Sequence, residues 1–329
     1  MNDKINIDWK EALKKYLPDR IFTALAGIND DMASRIEEIR LRASKPLMVY
    51  SCEKGFYVRS DGSLSVNGMI LAQTELEQTF SAITGKSAYA YEDEIRQGFL
   101  TLSSGIRAGI AGTAMLSDGV IRTYKSISGI NFRIPRETSG ISKTLLPYIS
   151  KDRRLVNTLI ISAPKLGKTT LARDIARSAG SGIGLISCKV SLIDERQELA
   201  ASVYGQPLFD VGNETDVISG VAKHTGVFMA LRSLSPEIIV TDEIGKSADL
   251  EALREVANGG VIMVATAHAP NLESLLNRLF FKKIFEERLF DAYVVLSAVL
   301  GRITIAQIHD CLGQELLQEP FLLTVSEAI

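Results

Sequence analysis

An apolar run over residues 158–161 leads straight into Ser162-Ala163-Pro164-Lys165-Leu166-Gly167-Lys168-Thr169-Thr170, and a helix-forming stretch over 169–178 follows and stops at Gly180. Nothing else in the 329 residues constrains the fold as tightly. Strand, loop and helix in that order are the setting a phosphate-binding loop requires. The N–H groups that open a helix lack partners within it, and the helix dipole adds positive potential there, so both favour a bound anion. Lys168 is placed to reach the β- and γ-phosphates of a nucleoside triphosphate, and the Thr169 hydroxyl to ligate Mg²⁺. The usual pattern is G-x-x-x-x-G-K-[ST], and Ser162 stands where its first glycine belongs. If that position needs positive φ or very close backbone approach, serine costs about 1 kcal/mol or more. The alternative is an ordinary strand–helix turn or a degenerate site.

Two further strand-like runs end in acid. Ile238-Ile239-Val240-Thr241 is followed by Asp242 and Glu243. A carboxylate at the end of a strand beside the loop strand is where Mg²⁺ and an attacking water need one. Asp242 is suited to hold Mg²⁺ through a water, and Glu243 to orient or deprotonate the nucleophile. Ser191-Leu192-Ile193 runs into Asp194 and Glu195, which places Glu195 as a second carboxylate beside Mg²⁺; a plain charged loop is the alternative. His268 follows the apolar run 261–266, on the sheet edge where doubly wound folds bind ligands. It is a candidate sensor of the γ-phosphate, with a purely structural histidine as the alternative. His224 and His309 have no such context and read as surface or packing residues.

Beyond residue 156, strand-like runs at 158–162, 184–193, 237–241, 261–266, 293–296 and 302–309 alternate with helical stretches. That alternation predicts a mostly parallel sheet with crossover helices, and the nearly all-apolar runs suit strands buried on both faces. The front of the chain reads differently. Met32, Ile36 and Ile39 predict a helix over 31–41, strands follow at 46–50 and 55–59, and a helix over 74–84 carries Thr74 as N-cap with Glu77 closing a capping box. From 98 to 134, alternating residues broken by Ser-Ser-Gly and Ser-Asp-Gly predict an antiparallel meander. Residues 137–156 read as the connection between the two domains, with a surface helix followed by a loop as the alternative. The chain is therefore of α/β class: an N-terminal α+β domain (1–145), a P-loop ATPase domain (146–315), and a C-terminal tail (316–329) without an assigned role.

Composition narrows the function. Hydrophobic residues at 46% and charged residues at 23% exclude a disordered or fibrous chain. The charges, 37 basic against 39 acidic, give no excess of the kind a nucleic-acid groove needs. Cys52, Cys188 and Cys311 are too few and too scattered for a disulfide framework or zinc cluster, which fits reduced thiols in the cytoplasm. The first twenty residues carry charge throughout, with no apolar core for a secretory signal. The apolar stretches 260–267 and 293–300 fall far short of the roughly 20 residues that span a bilayer. A membrane role is expected to be peripheral.

The order of P-loop, acidic box Ile193-Asp194-Glu195, second acidic strand end Asp242-Glu243 and histidine box Thr266-Ala267-His268 resembles the secretion ATPases that drive type II and type IV systems and pili. Further stretches resemble the stage III sporulation protein AA family over nearly the whole chain, to about residue 315: Glu37-Glu38-Ile39-Arg40-Leu41-Arg42, Tyr91-Glu92-Asp93-Glu94-Ile95-Arg96-Gln97-Gly98, Asn131-Phe132-Arg133-Ile134-Pro135-Arg136-Glu137 and Leu231-Arg232-Ser233-Leu234-Ser235-Pro236. The resemblance implies a RecA-like P-loop NTPase domain that uses ATP and Mg²⁺. It implies a homo-oligomer, a hexamer, on the mother-cell side of a channel between mother cell and forespore. The implied partners are other copies of the chain and membrane proteins of that channel. Sites in such rings lie between subunits, so Arg107, Arg133 and Arg136 of the front domain, and Arg232, are candidates to neutralise transition-state charge. Ser162 departs from the family's usual glycine and counts against efficient turnover. Two other classes remain: a non-hydrolysing, nucleotide-gated scaffold, which Ser162 favours, and a nucleic-acid translocase, which the charge balance disfavours.

Overall fold

Glu38-Ile39-Arg40-Leu41-Arg42 alternates polar and apolar residues, and in the computed structural model it is a strand, β1 (Glu38–Arg42), with Ile39 and Leu41 fully buried. The helix expected over 31–41 is confined to a single turn, Asp30–Ala33. A period of two prevails over helical spacing because β1 lies between two antiparallel partners, β2 (Met48–Ser51) and β7 (Val120–Arg133), that bury one face of it. The structure describes residues 8–51, 54–85, 95, 98–117, 120–135, 138–203, 205–299, 302–317 and 319–323.

The chain forms two compact units. In the first, Ile5–Arg136, β3 (Lys54–Val58), β4 (Leu64–Ser65), β5 (Phe99–Thr101) and β6 (Arg107–Ser117) complete an antiparallel sheet of order β4-β3-β2-β1-β7-β6-β5. Its core gathers Ile39, Leu41, Val49, Leu100, Ala108, Ile130 and Phe132 with apolar residues of three helices, α1 (Trp9–Lys14), α2 (Asp19–Ala26) and α4 (Gln73–Ile83), where α3 is the turn Asp30–Ala33. Helix α4 starts one residue before the expected Thr74. Glu75, not Glu77, reaches back to the Ala72 N–H at 2.7 Å, and the Arg20 guanidinium clamps the same carboxylate.

The second unit, Glu137–Ile329, holds the mostly parallel sheet. Strand β10 (Thr158–Ser162) lies between β14 (Ile262–His268) and β15 (Ala292–Val299), parallel to both. Outward from β14 run β13 (Ile238–Thr241), β11 (Val190–Asp194) and β12 (Thr215–Ser219), also parallel. On the other side β16 (Arg302–Asp310) and β17 (Phe321–Leu322) are antiparallel. Alternate residues of β10 enter two cores: Ile160 packs with Leu171 and Ile175 of α5 (Lys168–Gly180), while Leu159 and Ile161 pack with α6 (Lys223–Ser233) and α7 (Ser247–Asn258).

Residues 138–155 are part of this unit's core, not a surface connection. Ile141, Leu145, Leu146, Ile149 and Leu155 are buried in the same core as the inner face of α5, and the buried Asp174 carboxylate accepts from the Gly140 and Ser142 N–H groups and the Ser142 hydroxyl. The charged run near 151–154 is the turn of a tight hairpin, β8 (Ser150–Lys151) with β9 (Arg154–Leu155), in which Asp152 and Arg153 both take positive φ. The stretch beyond 315 also packs: Leu317 is buried and Phe321 stacks on Tyr148. Among the described residues, no helix is long and apolar enough to cross a membrane.

Candidate active site

The loop between β10 and α5 turns on two left-handed residues, Lys165 (φ 63°) and Gly167 (φ 74°). No side chain caps α5, so the N–H groups of its first turn are left for a ligand. Ser162 ends β10 with a negative φ, so a serine there carries no left-handed backbone cost. Its hydroxyl donates to the Ala163 carbonyl at 2.7 Å and accepts from Lys168 Nζ at 3.0 Å.

Lys168 is folded back onto this loop. Its ammonium also reaches the carbonyls of Ser162 and Ala163, each at 3.0 Å, and His268 Nδ1 at 2.9 Å. Burial brings its pKa down to about 8, against a weaker opposing pull from the Glu243 charge. His268 ends β14 directly beside Ser162 in the parallel ladder. With Nδ1 facing an ammonium, the geometry assigns the ring proton to Nε2, which lies 3.5 Å from Glu243 Oε2. Glu243 is also 3.3 Å from Arg196 Nη1, so Lys168, His268, Glu243 and Arg196 form one polar row.

A cavity of about 450 Å³ opens along this row. Pro164, Lys165, Leu166, Gly167, Lys168, Thr169 and Thr170 line it together with Arg196, Glu198, Asp242, Glu243, Thr266 and His268. The expected loop, the Asp242-Glu243 strand end and the histidine thus meet at one sheet edge, the C-terminal ends of parallel strands.

Asp242 is buried, and burial raises its pKa; the adjacent Asp194 and Glu198 add to the rise while Lys223 opposes it. Lys223 Nζ lies 3.2 Å from Asp242 Oδ1, an ion contact without hydrogen-bond geometry, so the carboxylate keeps acceptor capacity. Thr169 and Asp242 are hard oxygen donors at the mouth of a phosphate loop, a set that fits a small dication such as Mg²⁺ completed by water and phosphate oxygens.

Other expected residues lie elsewhere. Glu195 does not line the cavity: Lys223 holds it at 2.6 Å and Lys246 at 3.3 Å, and these cations outweigh burial and lower its pKa. Asp194 is committed to its own loop, accepting from the N–H groups of Glu198, Leu199 and Ala200. Arg232 sits in the last turn of α6 with its guanidinium over Phe228, nine residues and about 14 Å along the axis from Lys223. In the first unit Arg107 and Arg133 are direct cross-strand partners, Arg107 over the Phe99 ring and Arg133 3.5 Å from Glu38. Arg136 lies outside the described residues.

Arg196, Glu198 and Lys223 were not anticipated. Lys223 carried a signal: a basic residue opening a helix opposes the dipole and needs a compensating acid.

The family model described as sporulation stage III, protein AA matches residues 7–316. The chain belongs to that family. Stage III sporulation protein AA of Bacillus subtilis (strain 168) is 34% identical over 299 residues, covering 91% of this chain and 94% of the relative. Solved structures share the fold. The ATPase DotB of Legionella pneumophila superposes with a TM-score of 0.54 at 17% identity, over 80% of this chain and 73% of that one. The pilus retraction motor PilT with bound ADP gives 0.56 at 14% identity, over 98% and 84%. Family membership makes this a sporulation protein, and the second unit has the P-loop fold of secretion ATPases.

Proposed function

We propose that this chain is an ATP hydrolase whose turnover energises or assembles a transmembrane channel between mother cell and forespore. The observation that carries the reading is the single cavity that gathers Lys168, Thr169, Asp242, Glu243 and His268. In it the α5 N–H groups and Lys168 bind the triphosphate, for which Lys168 leaves its carbonyl partners. Thr169 and Asp242 would hold Mg²⁺, which when bound neutralises charge on the β- and γ-phosphates. Glu243 accepts a proton from water as the water oxygen bonds to the γ-phosphorus and the bond to the bridging oxygen breaks, releasing ADP and phosphate. His268, between Lys168 and Glu243, reports whether the γ-phosphate is present. Glu195 supports the site from behind through Lys223.

The working form is a homo-oligomer, a hexamer, in which Arg107, Arg133, Arg136 or Arg232 of a neighbouring copy completes the site. It acts in the mother-cell cytoplasm, held at the membrane by the channel's membrane proteins. The negative φ of Ser162 supports this reading over a non-hydrolysing scaffold.

Mg²⁺-dependent phosphate release from ATP, measured on the protein beside Lys168→Ala and Glu243→Gln, tests the reading. Loss of turnover in the first and a fall of about 100-fold or more in the second are expected. ATP binding without turnover, with or without added membrane partner, would refute hydrolysis and leave the scaffold.

A further inference from the structure

Lys223 is the first residue of α6, where the helix dipole repels a cation, and its side chain is only 7% exposed. Two carboxylates keep it there: Glu195 Oε2 at 2.6 Å and Asp242 Oδ1 at 3.2 Å. They come from neighbouring parallel strands, Glu195 just after β11 and Asp242 just after β13, so the ammonium bridges two strand ends. Asp194 and Glu198 also bear on Asp242 and repel it. Asp194 gives no help with a ligand, because both its oxygens accept backbone N–H groups. Lys223 itself does not line the cavity, whereas Asp242 does.

We propose that Lys223 is a positioning residue for the metal: its ion contact with Asp242 fixes how that carboxylate is presented to the cavity, and so sets how well the site takes Mg²⁺. Lys223 acts only through Asp242 and touches neither nucleotide nor metal. The inference rests on the reading of the cavity as a Mg²⁺–ATP site. Groups that orient a metal's ligands from behind typically govern affinity by about 10- to 100-fold.

The test is binding of a fluorescent ATP analogue to the full chain, titrated with Mg²⁺ and repeated in EDTA, with thermal unfolding in parallel. Lys223→Met is expected to raise the half-saturating Mg²⁺ concentration about 10- to 100-fold while leaving binding in EDTA unchanged, with Lys223→Arg in between. Lys223→Gln carries the same expectation as methionine and replaces it if the methionine variant does not fold. A merely structural lysine moves the melting temperature and shifts the Mg²⁺ requirement by less than about twofold, which would overturn the proposal. A lowered Mg²⁺ requirement would overturn it too, by showing that Lys223 competes with the metal. If the wild-type protein binds the analogue with no dependence on Mg²⁺, the metal-site reading falls and the proposal with it. Mg²⁺ dependence in the wild type with none of the expected shift in the variants sinks the proposal alone.

Discussion

Replacing Lys168 with methionine is expected to make the nucleotide-free protein more stable and blind to nucleotide. Burial takes the ammonium from its ordinary pKa of 10.5 down to about 8, with the Glu243 charge offsetting only part of the effect. A lysine whose folded-state pKa lies below its unfolded one costs stability in full below pH 8, and the cost fades as pH rises from 8 to 10.5. At 1.36 kcal/mol per pH unit the drop is worth about 3 kcal/mol. Water in the open cavity screens the charge and leaves about 1–2 kcal/mol.

Methionine orphans no carbonyl here. Ser162 O still accepts from the Ala269 N–H at 3.2 Å, and Ala163 O from the Ser162 hydroxyl at 2.7 Å. For a unit of this size the gain amounts to a rise of about 2–8 °C in melting temperature. Calorimetric unfolding at about pH 7 and about pH 10 checks it, and the variant's advantage over wild type should shrink at the higher pH. Saturating Mg²⁺–ATP should stabilise the wild type by about 2.7 kcal/mol at a hundred times Kd, and the variant by almost nothing. A variant less stable than wild type at neutral pH, or an advantage that persists at alkaline pH, would refute the reasoning. The first result would mean that the four ammonium contacts outweigh its desolvation, the second that the gain does not come from removing the charge.

At Gly167 (φ 74°), alanine forces a left-handed residue and brings a Cβ to 2.8 Å from the yielding end of Ile303, so about 1–2 kcal/mol of strain should weaken ATP affinity about 5- to 30-fold; titration calorimetry that finds it unchanged contradicts this. Glu75→Gln tests the first unit, where the Arg20 guanidinium and the Ala72 N–H outweigh burial and hold the Glu75 pKa below its ordinary 4.5. That carboxylate's contribution is present above pH 4.5 and lost as pH falls through the lowered pKa. Denaturation followed by Trp9, the chain's single tryptophan and buried in that unit, should therefore show the variant weaker by about 1 kcal/mol at neutral pH, with the difference closing in acid.

What could be read from the residues was what depends on neighbours in the chain. The loop 162–170 carries its turn, its helix start and its lysine in one stretch, and strands ending in Asp242-Glu243 and in His268 converge on it because parallel strands present their ends to one edge. Period counting failed at 31–41, where Ile36 and Ile39 fit a helix but Ile39 and Leu41 also fit a strand, and only the distant partners β2 and β7 decide. The same limit governed the acids. Asp194-Glu195 and Asp242-Glu243 look alike as strand ends, yet one pair is spent on backbone N–H groups and lysines while the other faces the cavity. The difference comes from Lys223, 28 residues beyond Glu195 in the chain, which takes Glu195 at 2.6 Å and Asp242 only at 3.2 Å. A buried carboxylate does what its nearest cation leaves it able to do. Assigning such acids from sequence therefore means first finding the cation each one must answer, and a lysine set against a helix dipole is the place to begin looking.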